Sequence, residues 1–112
     1  MSQMQSERRG APRACVDLPL RVSTAAEARP ARLKNISQTG LCCQLDHAVD
    51  EMAIMGIDLE LPDVGTQSVQ GVVVRCDRDE KSAPPGYEIA IYFTELAPDA
   101  RRAIQEFVQS RL

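Results

Sequence analysis

The stretch MGIDLEL, residues 55–61, decides the fold of this chain because apolar and polar residues alternate along it almost without a break. Met55, Ile57, Leu59 and Leu61 fall two apart, and Gly, Asp and Glu stand between them. Successive side chains of a β-strand point to opposite faces, so this period is typical of a strand with one buried face. The segment therefore predicts a half-buried strand.

Five other short segments on either side of this one also predict strands, three of them by the same alternation, one as a short strand after a turn, and one, Val69–Cys76, by its content of β-branched residues. They run approximately over Cys15–Val22, Ala31–Asn35, Leu41–Leu45, Val69–Cys76 and Tyr87–Phe93. In the second of them we place Asn35 on the same face as Ala31 and Leu33, opposite Arg32 and Lys34. Pro19 predicts an edge position in the first segment, and Gly71 predicts a bend or bulge in the fifth.

The period changes to that of a helix at the C-terminus. Ala100, Ile104, Phe107 and Val108 fall at helical spacing, and Pro98 suits a first turn. The pattern predicts an all-β domain over residues 14–112, built as a six-stranded antiparallel, split β-barrel with a C-terminal helix over residues 98–111. Closure into a barrel removes exposed strand edges. Residues 1–13 are polar, lack either period and predict a flexible N-terminal arm.

Composition and charge exclude several classes of function. The chain has 112 residues, a formal net charge of −3 and an aromatic share of 4% with no Trp. Binding of single-stranded nucleic acid needs stacking aromatics, so a small RNA- or DNA-binding barrel is disfavoured. We find neither an apolar signal core nor a run long enough to span a bilayer. These features predict a cytoplasmic protein that does not insert into a membrane.

Cysteine and histidine placement gives little support to metal or enzyme chemistry. Cys43 and His47 could supply half of a zinc site, but His47 is the only histidine and no C-x-x-C pair occurs. Small apolar core residues in a reducing compartment are the favoured interpretation of the cysteines. Without a triad, a nucleophile elbow or a phosphate-binding loop, the sequence predicts a protein that is not an enzyme and needs no cofactor.

The charge is unevenly distributed along the chain. Residues 1–34 carry a balance of +4, whereas residues 35–112 carry −7. Arg8, Arg9 and Arg13 concentrate the positive charge in six residues, where Gly10 and Pro12 disfavour a helix. Guanidinium groups bind phosphates and guanine edges in a planar, bidentate manner. This segment is therefore a candidate anion site.

A second candidate is the polar run Asn35–Gly40, where the second strand ends and the third begins. Asn35 and Ser37 could project from the same side and hydrogen-bond a base edge and a phosphate. Gly40 permits either a positive φ or a close approach of another backbone. An ordinary turn explains the same residues.

Together the two motifs make the chain resemble the PilZ domain, a bacterial receptor family for the second messenger cyclic di-GMP. The family pairs Arg-x-x-x-Arg with a later Asp/Asn-x-Ser-x-x-Gly, and this chain has Arg9-x-x-x-Arg13 and Asn35-x-Ser37-x-x-Gly40. The segments GVVVR at 71–75 and YEIAIYF at 87–93 also resemble the family. The resemblance extends over about residues 7–110.

The resemblance implies a ligand site on the outer barrel surface, clamped by the N-terminal arm. Arg9 and Arg13 would contact guanine edges and phosphates, Asn35 and Ser37 would hold a guanine and a nearby phosphate, and Gly40 would leave space. Asn35 stands where the family more often has Asp, and an amide lacks the charge assistance of a carboxylate. Arg8 at its position tends in the family to accompany two intercalated ligand molecules.

The resemblance also implies how the signal would pass on. A single receptor domain would order its arm around the dinucleotide and act on a separate, unidentified protein partner. A ligand-independent adaptor that works through protein contacts is the alternative. Phe107, Val108 and Leu112 could extend an apolar helix face toward a partner or cap the barrel, so we expect a monomer or a weak homodimer.

Overall fold

The chain forms a closed antiparallel β-barrel with one C-terminal helix. The computed structural model describes residues 13–24, 27–62, 65–81 and 85–112. The elements in chain order are β1 (Ala14–Ser23), β2 (Ala28–Ile36), β3 (Gly40–Leu45), β4 (Ile54–Leu61), β5 (Gly65–Asp79), β6 (Gly86–Glu95) and α1 (Pro98–Arg111). Around the barrel the strands follow the order β1-β2-β3-β6-β5-β4, and β4 pairs again with β1. The predicted six strands and helix are confirmed.

The interior of the barrel is a single apolar cluster. It is built from the inward-facing residues of all six strands and from one face of α1. Its largest fully buried side chains include Leu33, Ile36, Ile57, Ile89 and Phe107. Burial of this apolar surface is the dominant stabilising term in a domain of this size. The period-two pattern is thus explained by burial, because alternate residues of the strands enter the cluster except where a bulge shifts the register.

The strand β1 is secured unequally along its length. It pairs with β2 from Ala14 to Ser23, but its ladder with β4 involves Leu20–Ser23 alone. Pro19 stands directly before that second ladder, where its missing N–H costs no bond to β4. The predicted edge position of Pro19 is confirmed in this sense.

The β5–β6 hairpin is longer than expected. The sequence predicts a loop over Asp77–Gly86, yet the strands remain paired as far as Asp79 and Gly86. This charged end of the hairpin is stabilised locally, with Arg75 Nε 2.9 Å from Asp77 Oδ2 and the Arg78 guanidinium 5.9 Å from the centre of the Tyr87 ring. Strand residues that are exposed to water need no apolar alternation, which is why the pattern missed them.

The helix α1 closes onto the barrel through its apolar face. Ala100, Ala103, Ile104, Phe107 and Val108 are buried, and all but Ala103 belong to the same cluster as the strands. Pro98 occupies the first turn, as predicted, together with Asp99, an acidic residue at the favourable end of the helix dipole.

The described part of the chain contains no helix that is long and apolar enough to cross a membrane.

Candidate ligand-binding face

A bulge in β2 turns Asn35 to the outer face of the barrel. Leu33 pairs with Cys43 and Asn35 pairs with Cys42, so the register passes over Lys34. Leu33 and Ile36 are both buried in the core, and the two residues between them face outward. The expectation that Asn35 shares the face of Ala31 and Leu33 is therefore wrong. The extra residue of the bulge reverses the alternation at that point.

Asn35 stands in a row of residues that crosses the outer surface of five strands. Cys15 pairs with Asn35, Asn35 with Cys42, Cys42 with Ala90, and Ala90 with Arg75. We call these five residues the site row. Adjacent strands lie about 4.8 Å apart, so the row is a continuous strip of surface.

Arg13 reaches the site row from the residue directly before β1. Its Nη1 donates a hydrogen bond to Oδ1 of Asn35. This contact joins the last residue of the arginine motif to the first residue of the Asn35–Gly40 motif, 22 positions apart in sequence. Arg8 and Arg9 lie outside the described residues. The site therefore has at least one fixed guanidinium on the outer barrel face.

Ser37 is part of the turn between β2 and β3. Its side chain is fully buried, with 0% exposure. The Ser37 Oγ accepts from Thr39 N at 3.2 Å and lies 3.1 Å from Thr39 Oγ1, while Ser37 N donates to Gly40 O at 2.8 Å. The structure thus brings Asn35 and Arg13 together on the surface but uses the Ser37 hydroxyl inside the turn that follows them. Short polar side chains stabilise turns in this way.

Gly40 is required by the approach of a neighbouring strand. A Cβ added at Gly40 would lie 2.3 Å from the carbonyl oxygen of Ile91 in β6. Among the described glycines, positive φ occurs at Gly65 and not at Gly40. Of the two reasons that the sequence offered for a glycine here, close approach of another backbone is the one that the structure supports.

The predicted site residues did not include three charged side chains that lie in or beside the site row, namely Lys34, Glu88 and Arg75. Lys34 Nζ lies 3.6 Å from Glu88 Oε2, and Arg75 at the end of the row pairs with Asp77. The charges of both Arg13 and Arg75 act on the thiol of Cys42, so the two guanidinium groups flank the same strip of surface. The spacing of three between the apolar residues Leu33 and Ile36 was the signal in the sequence that Asn35, and not only Lys34, faces outward.

The adjacent cysteines Cys42 and Cys43 point in opposite directions, as expected of neighbours on a strand. Cys43 belongs to the core cluster, and burial raises the pKa of its thiol to about 12. Cys42 is the β3 residue of the site row, and its Sγ donates to Glu88 Oε2 at 3.7 Å. Burial raises the pKa of the Cys42 thiol, and the nearby Glu88 charge raises it further. Within the described residues no group of three or more His, Cys, Asp or Glu side chains could hold a metal ion.

A shallow depression of about 510 Å³ opens beside the site row, between β1 and β2. Cys15, Asp17, Arg32, Lys34 and Gln44 contribute to its lining. Arg32 is held there by Asp17, with Nη2 2.7 Å from Oδ1. The depression thus leaves open space beside Lys34, and it meets the site row at Cys15.

The sequence of the chain matches a known protein family over most of its length. The model of the family described as PilZ domain matches residues 7–110. A search of curated protein sequences gave no significant match. The family match covers both arginine and turn motifs, including the part of the arginine motif that lies outside the described residues.

Solved structures with the same fold include three bacterial proteins. The Bacillus subtilis inhibitor of motility MotI/DgrA aligns with a TM-score of 0.79 and 19% identity over 99% of this chain and 52% of that chain. The PilZ domain of Escherichia coli YcgR with c-di-GMP aligns with a TM-score of 0.76 and 15% identity, covering 93% of this chain and 91% of that one. The K. pneumonia MrkH–c-di-GMP complex aligns with a TM-score of 0.75 and 15% identity, covering 98% of this chain and 52% of that one. The chain thus spans about half the length of MotI/DgrA and MrkH, and at these identities the likeness is one of fold.

Proposed function

The chain belongs to the PilZ domain family of cyclic di-GMP receptors, which are generally non-catalytic, and on this premise we propose that it binds cyclic di-GMP on the outer barrel face at the site row. The observation that carries this proposal is the hydrogen bond from Arg13 to Asn35. It brings a residue of each signature motif to one point of the surface. A guanidinium and an amide at that point match the phosphates and the guanine edges of the ligand.

The chemistry of binding divides between the two motifs. Arg8, Arg9 and Arg13 would supply charge-assisted hydrogen bonds to phosphate oxygens and to guanine O6 and N7. Asn35 would accept from the guanine N1–H or N2–H groups, having exchanged its bond to Arg13 for one to the base. Lys34 adds a second cation beside Asn35. Its ammonium group has three N–H donors and lies 3.6 Å from Glu88 Oε2, so donors stay available for a ligand.

Ser37 and Gly40 would act on the ligand through the position of Asn35. The buried hydroxyl of Ser37 holds the turn, and Gly40 lets β3 pack against β6. Asn35 stands at the end of β2 where this turn begins, so its side-chain direction depends on both residues. We therefore assign Ser37 and Gly40 as positioning residues of the site.

Signalling would follow from the ordering of the N-terminal arm. The arm loses conformational entropy when its arginines close over the ligand, and charge-assisted hydrogen bonds offset that loss. The ligand shifts the population toward the closed arm by its differential affinity for that state. A separate protein would then read the closed arm, and the receptor itself would catalyse no reaction.

Titration calorimetry of the purified protein with cyclic di-GMP tests the proposal, and we expect saturable binding of two ligand molecules per chain. Two intercalated dinucleotides carry four phosphate charges. Arg8, Arg9 and Arg13 can neutralise most of this charge, and their planar guanidinium groups can stack on the guanine bases. GMP serves as the control, because it offers one guanine edge without the cyclic diphosphate ring. A stoichiometry of one would contradict the intercalated pair, and the absence of saturable heat would contradict the function.

Cys15 provides a second, independent readout of where the ligand binds. It is exposed and pairs with Asn35, so a bound ligand should shield it from iodoacetamide at about pH 8. We expect cyclic di-GMP to slow alkylation of Cys15 several-fold, as measured by mass spectrometry of the modified peptides. Cys43 is the internal reference: its raised pKa and its burial leave almost no thiolate, so it should stay unmodified in the folded protein with or without ligand. Equal Cys15 alkylation rates with and without saturating ligand would place the ligand elsewhere.

A further inference from the structure

Next to the site row, the outer face of the barrel carries an apolar patch whose residues are not part of the proposed ligand site. Met52, Ile54, Val74 and Tyr92 are large apolar side chains with 74%, 52%, 52% and 55% exposure, and Val72 lies half-buried between them. We call these five residues the apolar patch. Contiguous exposed apolar surface on a small domain is typical of a site for protein contact.

The strand register makes the patch continuous. Ile54 of β4 pairs with Val72 of β5, and Val72 pairs with Tyr92 of β6. The next strand positions, Val73 and Ile91, are buried in the core, so the paired residues of the patch face outward. A bulge between Val73 and Arg75 leaves Val74 exposed beside them. The patch thus extends over three neighbouring strands.

Met52 is held on this surface by a constrained backbone. Its φ is +73°, the one positive value among the described non-glycine residues, and this left-handed conformation is unfavourable for a residue with a side chain. The conformation is fixed by hydrogen bonds from Met52 N to Val73 O at 2.7 Å and from Val73 N to Ala53 O at 2.9 Å. An unbranched, adaptable Met side chain is well suited to contact with another protein.

Unpaired acidic groups surround the patch. Asp50 and Glu51 precede Met52, and Glu95 pairs with Gln70, two positions before Val72. Within the described residues their carboxylates make no ion pair or side-chain hydrogen bond, whereas the nearby Arg75 is paired with Asp77 at 2.9 Å. The border of the patch is therefore negative.

We propose that the apolar patch docks a separate protein whose contact surface is apolar at its centre and basic at its border. Such a partner would bury Met52, Ile54 and Tyr92 and would pair its cations with Asp50, Glu51 and Glu95. Tyr and Met are enriched at the centres of protein interfaces, and complementary border charges set the choice of partner. The patch includes no residue of the site row but borders it, because Tyr92 lies two positions after Ala90 and Val74 directly precedes Arg75. The argument for the patch does not rest on cyclic di-GMP binding.

The acidic border argues against the other occupants. A second copy of this chain placed patch to patch would bring the same carboxylates together, and like charges opposite one another disfavour association. Anionic membranes and nucleic acids would meet the same repulsion. A basic protein surface relieves it.

A synthetic amphipathic helix of Leu and Lys is the probe for this surface, titrated into isotope-labelled protein and followed by NMR. We expect shift changes centred on Met52, Ile54, Val74 and Tyr92. The double variant Ile54→Ser/Tyr92→Ser should lose at least about tenfold in affinity, as should the charge reversal Asp50→Lys/Glu51→Lys. Matched controls are Leu112→Ser, an exposed apolar residue at the end of the chain, and Glu106→Lys on α1, both with unchanged affinity.

Three outcomes would overturn the proposal. The first is equal binding of the same peptide with Glu in place of every Lys, because the border charges would then have no role. The second is binding with shifts away from the patch, or no binding at all. The third is concentration-dependent dimerisation through the patch, or adsorption of the protein to anionic phosphatidylserine vesicles through it. All variants alter exposed side chains, so unchanged thermal unfolding verifies that each is folded.

Discussion

Cyclic di-GMP affinity should fall by roughly 10²- to 10⁴-fold in the Arg9→Ala/Arg13→Ala protein, because each arginine contributes a charge-assisted hydrogen bond of about 1.5–3 kcal/mol. Arg13→Ala alone removes the group that now donates to Asn35. Asn35 is partly exposed, so losing this bond leaves no buried amide unsatisfied, and the barrel should unfold at the same temperature as the unaltered protein. Calorimetry and thermal unfolding together separate loss of binding from loss of folding.

Arg21→Ala is the matched control for this experiment. Arg21 carries an exposed guanidinium group on the same strand β1 and lies outside the site row. In the strand register it stands opposite Pro30 of β2 and Asp58 of β4. It tests whether the net loss of positive charge is enough to weaken binding. An affinity of the Arg9→Ala/Arg13→Ala protein within about tenfold of that of the unaltered protein would refute the site assignment. An equal loss of affinity in Arg21→Ala would show that the arginines act only through their net charge.

Gly40→Ala should destabilise the fold by about 3 kcal/mol, at the upper end of the cost of overpacking. The added methyl group would stand 2.3 Å from the Ile91 carbonyl oxygen and 3.3 Å from the Tyr92 Cα, both backbone atoms that move only with the strand. To relieve this clash, β3 must separate from β6 at its first residue, where the turn of Ser37 ends. We expect a lower midpoint of urea unfolding and, through the displaced turn, weaker binding of cyclic di-GMP.

Gly56→Ala tests whether any glycine in a strand would behave in this way. A Cβ at Gly56 would lie 2.9 Å from the Ser23 hydroxyl, a side-chain atom that can rotate away, and 4.0 Å from the nearest backbone atom. This variant should unfold within about 1 kcal/mol of the unaltered protein. A Gly40→Ala protein as stable as the Gly56→Ala protein would show that β6 yields easily, and the role given to Gly40 would have to be abandoned.

The strands and the helix were predictable because burial of one face imposes a period that can be read without coordinates. The bulge at Lys34 was less accessible, although Leu33 and Ile36, three apart, break the alternation and announce it. Misreading that break placed Asn35 on the inner face. Prediction fails in this way wherever a single extra residue reverses every side chain that follows it.

Contacts within the candidate site depended on pairings that no local pattern encodes. The hydrogen bond between Arg13 and Asn35 follows from the register of β1 against β2, and the clash at Gly40 from the register of β3 against β6. The choice between a ligand role and a turn role for Ser37 rested on its burial, which residue type alone does not decide. The roles of Arg8, Arg9, Arg13 and Asn35 in ligand binding, and of Ser37 and Gly40 in positioning the site, are predictions that the titrations test.

The one-sided pairing of β1 before Leu20 has a consequence for local unfolding. Residues 14–19 are held by a ladder to β2 alone, whereas Leu20–Ser23 are held on both sides. The first half of β1 therefore separates from the barrel at a lower free-energy cost than the second half, and its amides exchange sooner with solvent. Arg13 is attached to the end of this singly paired half-strand, so the segment that contacts Asn35 is joined to the part of β1 that separates more easily from the barrel.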